Sequence, residues 1–154
     1  MNFEMRDCKP SLTETEVERV EQKWGFVFPV EYRRFLLMYN GGRPNLECFR
    51  FKGGSYGDSM IDWFLAIYDG KYNNFERCYN VFKVKEKRLL DNLVPIARDP
   101  GGNLICISVS SEDRGAIYFW DHEKEQDEAT SKNVSLIADN FDEFISKLEP
   151  NEFA

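Results

Sequence analysis

Residues 12–42 read LTETEVERVEQKWGFVFPVEYRRFLLMYNGG and predict two short helices with a tight connection between them. Thr13 can cap the first helix, because Glu16 lies three residues later, where its side chain can close a capping box. Gly25 can adopt the left-handed conformation that ends a helix. The apolar residues between these two signals recur on one helix face: Val17, Val20 and Trp24.

The second helix is predicted to begin at Pro29, where the missing N–H of proline costs nothing. Its large side chains follow the i, i+3, i+4, i+7 spacing of a single face: Tyr32, Phe35, Leu36 and Tyr39. Asn40-Gly41-Gly42 then ends the helix.

Downstream, short apolar runs alternate with turns rich in Gly, Asp and Asn, a pattern typical of strands. We expect strands over residues 46–52, 60–67, 93–97, 104–109, 116–120 and 134–138. In the second of these, Ile61, Trp63, Leu65 and Ile67 would share one face. Trp63 and Trp120 lie in predicted strands and are expected in the core. A last helix is predicted after Asn140, which can act as its N-cap.

Residues 74–90 fit two interpretations. Phe75, Tyr79 and Phe82 could line a helix, whereas residues 79–85 alternate as a strand does, and we favour the helix. Its bases would then form the one basic patch of the chain: Arg77, Lys83, Lys85, Lys87 and Arg88.

Helices and strands are segregated along the chain, which predicts the α+β class. We expect a single domain over residues 1–154, with a mostly antiparallel sheet flanked by the N-terminal helical pair and a C-terminal helix. A chain of 154 residues with 15% aromatic residues can bury a full core.

The sequence gives little indication of secretion or of a membrane span. The N-terminus, MNFEMRDCKP, lacks the apolar stretch of a signal peptide, and no apolar run reaches the roughly 20 residues that a membrane helix needs. We therefore expect a cytoplasmic protein that binds no membrane.

The four cysteines are far apart in sequence, which argues against a zinc site and, in the cytoplasm, favours reduced thiols: Cys8, Cys48, Cys78 and Cys106. Cys106, inside an apolar strand, is expected to be a core residue.

The negative charge is concentrated near the C-terminus. The net charge is −7, and residues 112–154 hold twelve acids against four bases. The densest stretch is residues 121–128. This distribution disfavours nucleic acid as a partner and favours a protein with a basic surface. The acidic stretch could equally be a solvated loop.

Two catalytic interpretations find little support. Residues 53–57 match the G-x-S-x-G pattern of a nucleophile elbow, with Ser55 as nucleophile, His122 as base and an acid such as Asp99. However, a nucleophile elbow needs a helix after the serine, whereas a strand is predicted after Ser55. The simpler alternative is a glycine-rich surface loop. Asp121, His122 and Glu123 could offer metal ligands, but consecutive residues point in different directions and no second histidine exists. We predict no catalytic residues, no metal and no cofactor.

The helical pair resembles the opening of the SUKH superfamily, the Smi/Knr-like domains, in Gly25, Phe28-Pro29, Tyr32, Phe35-Leu36 and Asn40-Gly41-Gly42. Further matches follow in order: LVPIA at 93–97 with Asp99 and Gly102-Asn103, ICIS at 105–108, GAIYFWDH at 115–122, and Phe141, Phe144 and Leu148. The resemblance spans about residues 12–148. Phe28 stands where the family usually has leucine, and Asn103 where it usually has aspartate.

The resemblance implies a binding protein rather than an enzyme. Many bacterial members are implied to be immunity proteins that bind and block a cognate toxin, often a nuclease or deaminase. Eukaryotic relatives look like regulatory binding modules in cell-wall synthesis, which is the second alternative, and a small serine hydrolase is the remote third. We expect an immunity protein, a monomer or weak dimer, whose partner is a cognate toxin with a basic surface. The predicted contact residues are acidic: Asp121, Glu123, Glu125, Asp127 and Glu128, with Asp58, Asp62 and Asp99 as weaker candidates.

Overall fold

The computed structural model describes residues 2–52 and 57–152. Its first helix, α1 (Glu14–Trp24), is capped as predicted: the Thr13 hydroxyl accepts from the backbone N–H of Glu16 at 3.2 Å, and the Glu16 carboxylate accepts from the Thr13 N–H at 3.0 Å. Gly25 ends α1 with a φ of 80°. The local signals therefore fix this helix at both ends.

The second helix, α2 (Val30–Met38), begins one residue after the predicted start, because Pro29 is the N-cap rather than the first helical residue. Buried Glu21 of α1 fixes the connection, since its carboxylate accepts from the Phe28 N–H at 2.8 Å and lies 3.5 Å from Arg33 Nε. The two helices are thus joined by polar contacts as well as by their apolar faces.

Within the described residues, the remaining strands form three antiparallel sheets, and two more α-helices follow. In chain order they are β1 (Met5–Arg6), β2 (Arg43–Pro44), β3 (Cys48–Arg50), β4 (Asp58–Met60), β5 (Trp63–Phe64), α3 (Phe75–Tyr79), β6 (Leu93–Arg98), β7 (Leu104–Ser108), β8 (Ile117–Trp120), β9 (Val134–Ala138) and α4 (Phe141–Ser146). β1 pairs with β2, β3 with β4, and the main sheet has the order β5-β6-β7-β8-β9. The predicted α+β class with an antiparallel sheet and flanking helices is confirmed.

The main sheet is apolar on both faces. The larger cluster, which includes Ile105 and Phe119, packs against α1, α2 and α4. The smaller cluster, on the other face, includes Cys106 and Trp120 and packs against Phe82. Neighbouring residues of one strand therefore enter different clusters, as alternation along a strand requires. The core positions predicted for Cys106 and Trp120 are confirmed, at 0% and 1% exposure.

The predicted strand over residues 60–67 is wrong. β4 ends at Met60, and the chain turns before β5, because the Ile61 N–H bonds to the Glu47 carbonyl and the Asp62 N–H to the Arg98 carbonyl. The prediction that only one face of this segment is apolar also fails. Four consecutive residues, from Phe64 to Ile67, are all buried, so side chains on both faces are covered. Trp63, predicted in the core, is only partly buried, and the guanidinium of Arg43 lies over its ring.

The helix predicted over residues 74–90 is right in type but too long. α3 runs into a π-helical turn, Asn80–Lys85, and helical structure ends there. Lys87 then adopts a φ of 50°, a left-handed conformation that reverses the chain.

Candidate partner-binding face

The turn of residues 99–103, which joins β6 to β7, contains one predicted contact residue, Asp99, and contacts the start of the acidic segment at His122. Asp99 is 4% exposed. Its carboxylate accepts four hydrogen bonds, from the Gly101 N–H (2.9 Å), the Asn103 N–H (2.8 Å), the Asn103 amide (2.9 Å) and the Ser59 hydroxyl (3.0 Å). This carboxylate therefore holds the turn against β4 and does not stand on the surface.

Asn103 links this turn to the acidic segment, residues 121–128. Its amide nitrogen donates to Asp99, while its amide oxygen accepts from the His122 N–H at 3.0 Å. His122 Nε2 also lies 2.8 Å from the Gly101 carbonyl. An aspartate at position 103 could not donate to Asp99, so this pair of contacts requires an amide.

The start of the acidic segment is anchored by Asp121. Its carboxylate accepts from the Glu123 N–H at 3.0 Å and caps a short 3₁₀ turn, His122–Lys124. The carbonyl of Asp121 accepts from the side chain of buried Asn133 at 3.0 Å. Asp121 therefore holds the backbone at the start of the acidic segment in place.

The middle of the acidic segment is anchored by Glu125. Both of its carboxylate oxygens accept from the guanidinium of Arg88, one of them from Nε at 3.0 Å. That guanidinium also lies over the rings of Phe82, at 4.5 Å, and Trp120, at 5.1 Å. A bidentate pair packed on two aromatic rings has a fixed geometry. The segment is therefore tied to the smaller cluster of the main sheet.

The other three acids of the segment point into solvent. Glu123, Asp127 and Glu128 are exposed, and their carboxylates form no hydrogen bond or ion pair within residues 2–52 and 57–152. The five predicted acids of the segment therefore divide into two that anchor it and three that it presents.

Asp58 and Asp62 also differ from each other. Asp58 is exposed on β4, beside the turn. Asp62 lies between two arginines, 3.5 Å from Arg43 and 3.3 Å from Arg98. Asp58 can meet a partner as it stands, whereas Asp62 would have to give up these internal pairs.

A concave pocket of about 540 Å³ lies next to the turn; we call it the hairpin pocket. It is formed by β3, β4, residues 99–101 and residues 149–152. Sequence reasoning missed it because β3 and the C-terminal segment come together only in the fold: the N–H of Cys48 bonds to the carbonyl of Glu149 at 2.9 Å, and the reverse bond has the same length. Two of the predicted contact residues, Asp58 and Asp99, line it.

The basic patch predicted over residues 77–88 is dispersed. The ammonium of Lys83 donates to the carbonyls of Leu90, Asp91 and Leu93, each at 2.7 Å, and burial lowers the pKa of this side chain to about 8. Arg88 is engaged with Glu125. Charge along a sequence does not show which bases face inward, so the role of Arg88 as an anchor was also missed.

The described residues give no support to the serine hydrolase alternative. Ser55 lies outside the described residues. Asp99 and His122, proposed to complete its triad, form no hydrogen bond with each other in the described chain, since each is occupied by the turn. Within the same residues, no cluster of three or more His, Cys, Asp or Glu side chains could hold a metal ion.

Comparisons with known proteins give one family and one distant relative. The sequence model of the family described as "SMI1 / KNR4 family (SUKH-1)" matches residues 11–147. An SPbeta prophage-derived uncharacterized protein, YokK of Bacillus subtilis (strain 168), is 28% identical over 162 aligned residues, which cover 93% of this chain and 79% of the relative. Across the described ranges, no helix combines the length and the apolar character needed to cross a bilayer.

Proposed function

Because this chain belongs to the SMI1/KNR4 family (SUKH-1), we propose that it is an immunity protein that binds a cognate toxin and blocks it by stoichiometric occlusion. The toxin carries a basic surface, as a nuclease must in order to bind phosphates.

The single observation that carries the proposal is that the five predicted acids of the acidic segment have two different roles. Asp121 and Glu125 hold its backbone, so Glu123, Asp127 and Glu128 are presented on an anchored rather than a free loop. An anchored loop loses less conformational entropy on binding, and its unpaired charges steer a basic partner towards it.

The test uses the domain encoded by the neighbouring reading frame, purified and mixed with this protein. A domain that is harmless when expressed alone, or that does not bind this protein, would refute the proposal. We expect Glu123→Gln, Asp127→Asn and Glu128→Gln, combined in one variant, to slow association about tenfold at low salt and to flatten its salt dependence. Stopped-flow fluorescence measures the rate, and co-expression measures rescue from toxicity.

A matched control removes the same charge elsewhere. Asp7→Asn, Asp69→Asn and Glu112→Gln change three exposed acids outside the segment. We expect this variant to associate almost as fast as the natural protein. Equal slowing by both variants would show that net charge alone acts, and unchanged rates in both would remove the acidic segment from the mechanism.

A further inference from the structure

The hairpin pocket has the size and the lining of a receptor for one cationic side chain. Its volume of about 540 Å³ falls within the roughly 300–1,000 Å³ typical of small-ligand sites. We infer that it receives an arginine side chain of the basic partner, held between Asp58 and Glu152 above the β3–β4 hairpin. This inference rests on the proposed function only in taking the partner to be a basic protein.

The pocket wall is apolar where an arginine stem would lie. In the register of the β3–β4 hairpin Cys48 is opposite Met60, which places both side chains on the same face. Pro100 and Pro150 line the pocket as well. Long cationic side chains bury their methylene groups against such surfaces while the charged head stays among polar groups.

The pocket rim is negative. It carries Asp58, Glu149 and Glu152 against one base, Arg50. Asp99 also lines the pocket, but its carboxylate already accepts four hydrogen bonds and is therefore not expected to bind a guanidinium directly. The rim therefore has a net charge that a single cation only partly neutralises.

The negative potential reaches the pocket floor. Burial raises the pKa of the Cys48 thiol, and the charges of Glu47, Asp58, Glu149 and Glu152 raise it further. The acids, unlike the burial, would favour a cation at this point.

Arg50 leaves room for a second cation. It lies opposite Asp58 in the hairpin register, yet its guanidinium reaches only to 4.0 Å from Glu149, and its side chain is 79% exposed. An ion pair this long and exposed is weak. An incoming arginine can therefore compete for these carboxylates, and its planar fork matches them better than an ammonium would.

The pocket and the acidic segment are connected through the turn of residues 99–103. Gly101 lines the pocket, and its carbonyl contacts His122 at the start of the segment. A partner that contacts the start of the acidic segment at His122 therefore also lies close to the pocket. Tighter binding of lysine than of arginine, which would overturn the inference, and no binding at all are the competing outcomes of the test.

The test is an NMR titration of the full-length ¹⁵N-labelled protein with N-acetyl-arginine N′-methylamide. We expect saturable shifts of the amides of Met60 and Gly101. The uncharged isostere N-acetyl-citrulline N′-methylamide should cause none, and the lysine analogue should bind more weakly.

Two variants give opposite expectations. Asp58→Asn combined with Glu152→Gln should weaken the binding of the arginine probe at least tenfold, whereas Arg50→Gln should tighten it about threefold, since it removes the internal competitor. All three residues are exposed, so the fold should persist, and Asp7→Asn combined with Asp69→Asn serves as the charge-matched control.

Equal binding of the citrulline probe, shifts confined to residues 121–128, or no saturable shift would overturn the inference. Each of these results leaves the proposed function intact, because toxin association is measured separately. Conversely, arginine binding in the pocket without any toxin association would refute the proposed function alone.

Discussion

At the scale of single residues, Asp99 has the most consequential contacts on this face. We expect Asp99→Ala to lower the free energy of unfolding by about 3 kcal/mol, because two backbone N–H groups and two side-chain donors lose a buried charged acceptor. Asp99→Asn should cost nearly as much, since an amide group cannot accept from all four donors. Urea unfolding measures both, with exposed Asp58→Asn as the control expected within about 0.5 kcal/mol of the natural protein. Equal stabilities of all three variants would show that the turn does not depend on this carboxylate.

Residue identity alone could not separate the acids of this face into roles. Asp99, Glu125 and Glu128 are equivalent in a charge count, yet one holds a turn, one holds a loop and one is free. The difference comes from donors that are distant in sequence, such as Arg88, 37 residues from Glu125. Gly41 was predicted to help end α2, but α2 ends at Met38 with Tyr39 as its C-cap. The fold gives Gly41 a different role: its φ is 70°, and a Cβ there would lie 2.6 Å from the Cβ of Ala66.

At the scale of elements, the Arg88–Glu125 pair should control the order of the acidic segment. We expect Arg88→Met to keep the packing on Phe82 and Trp120 but to speed amide hydrogen exchange of residues 122–128 by tenfold or more, because the segment loses its central anchor. Hydrogen-exchange mass spectrometry measures this, with exposed Arg77→Met as the control. Unchanged exchange in Arg88→Met would mean that Asp121 and Asn133 suffice to hold the segment.

A second link between elements gives a pH dependence. Hydrogen bonds from Lys147 and Lys52 lower the pKa of Glu143 to about 2, against the usual 4.5. A lowered pKa in the folded state stabilises the protein above about pH 4.5, and this contribution disappears as the pH falls towards 2. We expect Glu143→Gln to lower the urea midpoint at pH 6, and the gap to the natural protein to shrink steadily between pH 4.5 and 2. A gap that stays constant over this range would contradict the role of the two lysines.

Elements with local signals were predictable, and elements that depend on distant partners were not. The capping box at Thr13, the glycine at position 25 and the N-cap at Asn140 lie within a few residues of the helices that they delimit, and all three are confirmed. The break between β4 and β5 depends instead on carbonyls of Glu47 and Arg98, which lie far away in sequence. Alternation of apolar residues therefore predicted one straight strand where long-range hydrogen bonds impose a turn.

At the scale of the whole molecule, the main sheet joins two apolar clusters into one structure. Strand β7 sends Ile105 and Ile107 into the larger cluster and Leu104 and Cys106 into the smaller one. The acidic segment is tied to the smaller cluster through Arg88 and Trp120, while the hairpin pocket adjoins the larger one through Phe49. The proposed binding face therefore spans both clusters, and its geometry depends on their remaining together.

This arrangement predicts that the two clusters unfold as one cooperative unit. Ile105→Ala, in the larger cluster, should lower the free energy of unfolding by about 3 kcal/mol, and Cys106→Ala, in the smaller cluster, by about 1 kcal/mol, because each leaves a cavity in proportion to the volume removed. Since the two residues are adjacent on β7, neither change can loosen one face without loosening the strand that both faces share.

Far-UV circular dichroism reports the whole fold, and fluorescence in a Trp24→Phe, Trp63→Phe background reports Trp120 in the smaller cluster. Both signals should give one midpoint in each variant, with an unchanged urea slope. A Trp120 transition that precedes the loss of secondary structure in Cys106→Ala, but not in Ile105→Ala, would show that the smaller cluster and its acidic segment form a separate, weaker unit.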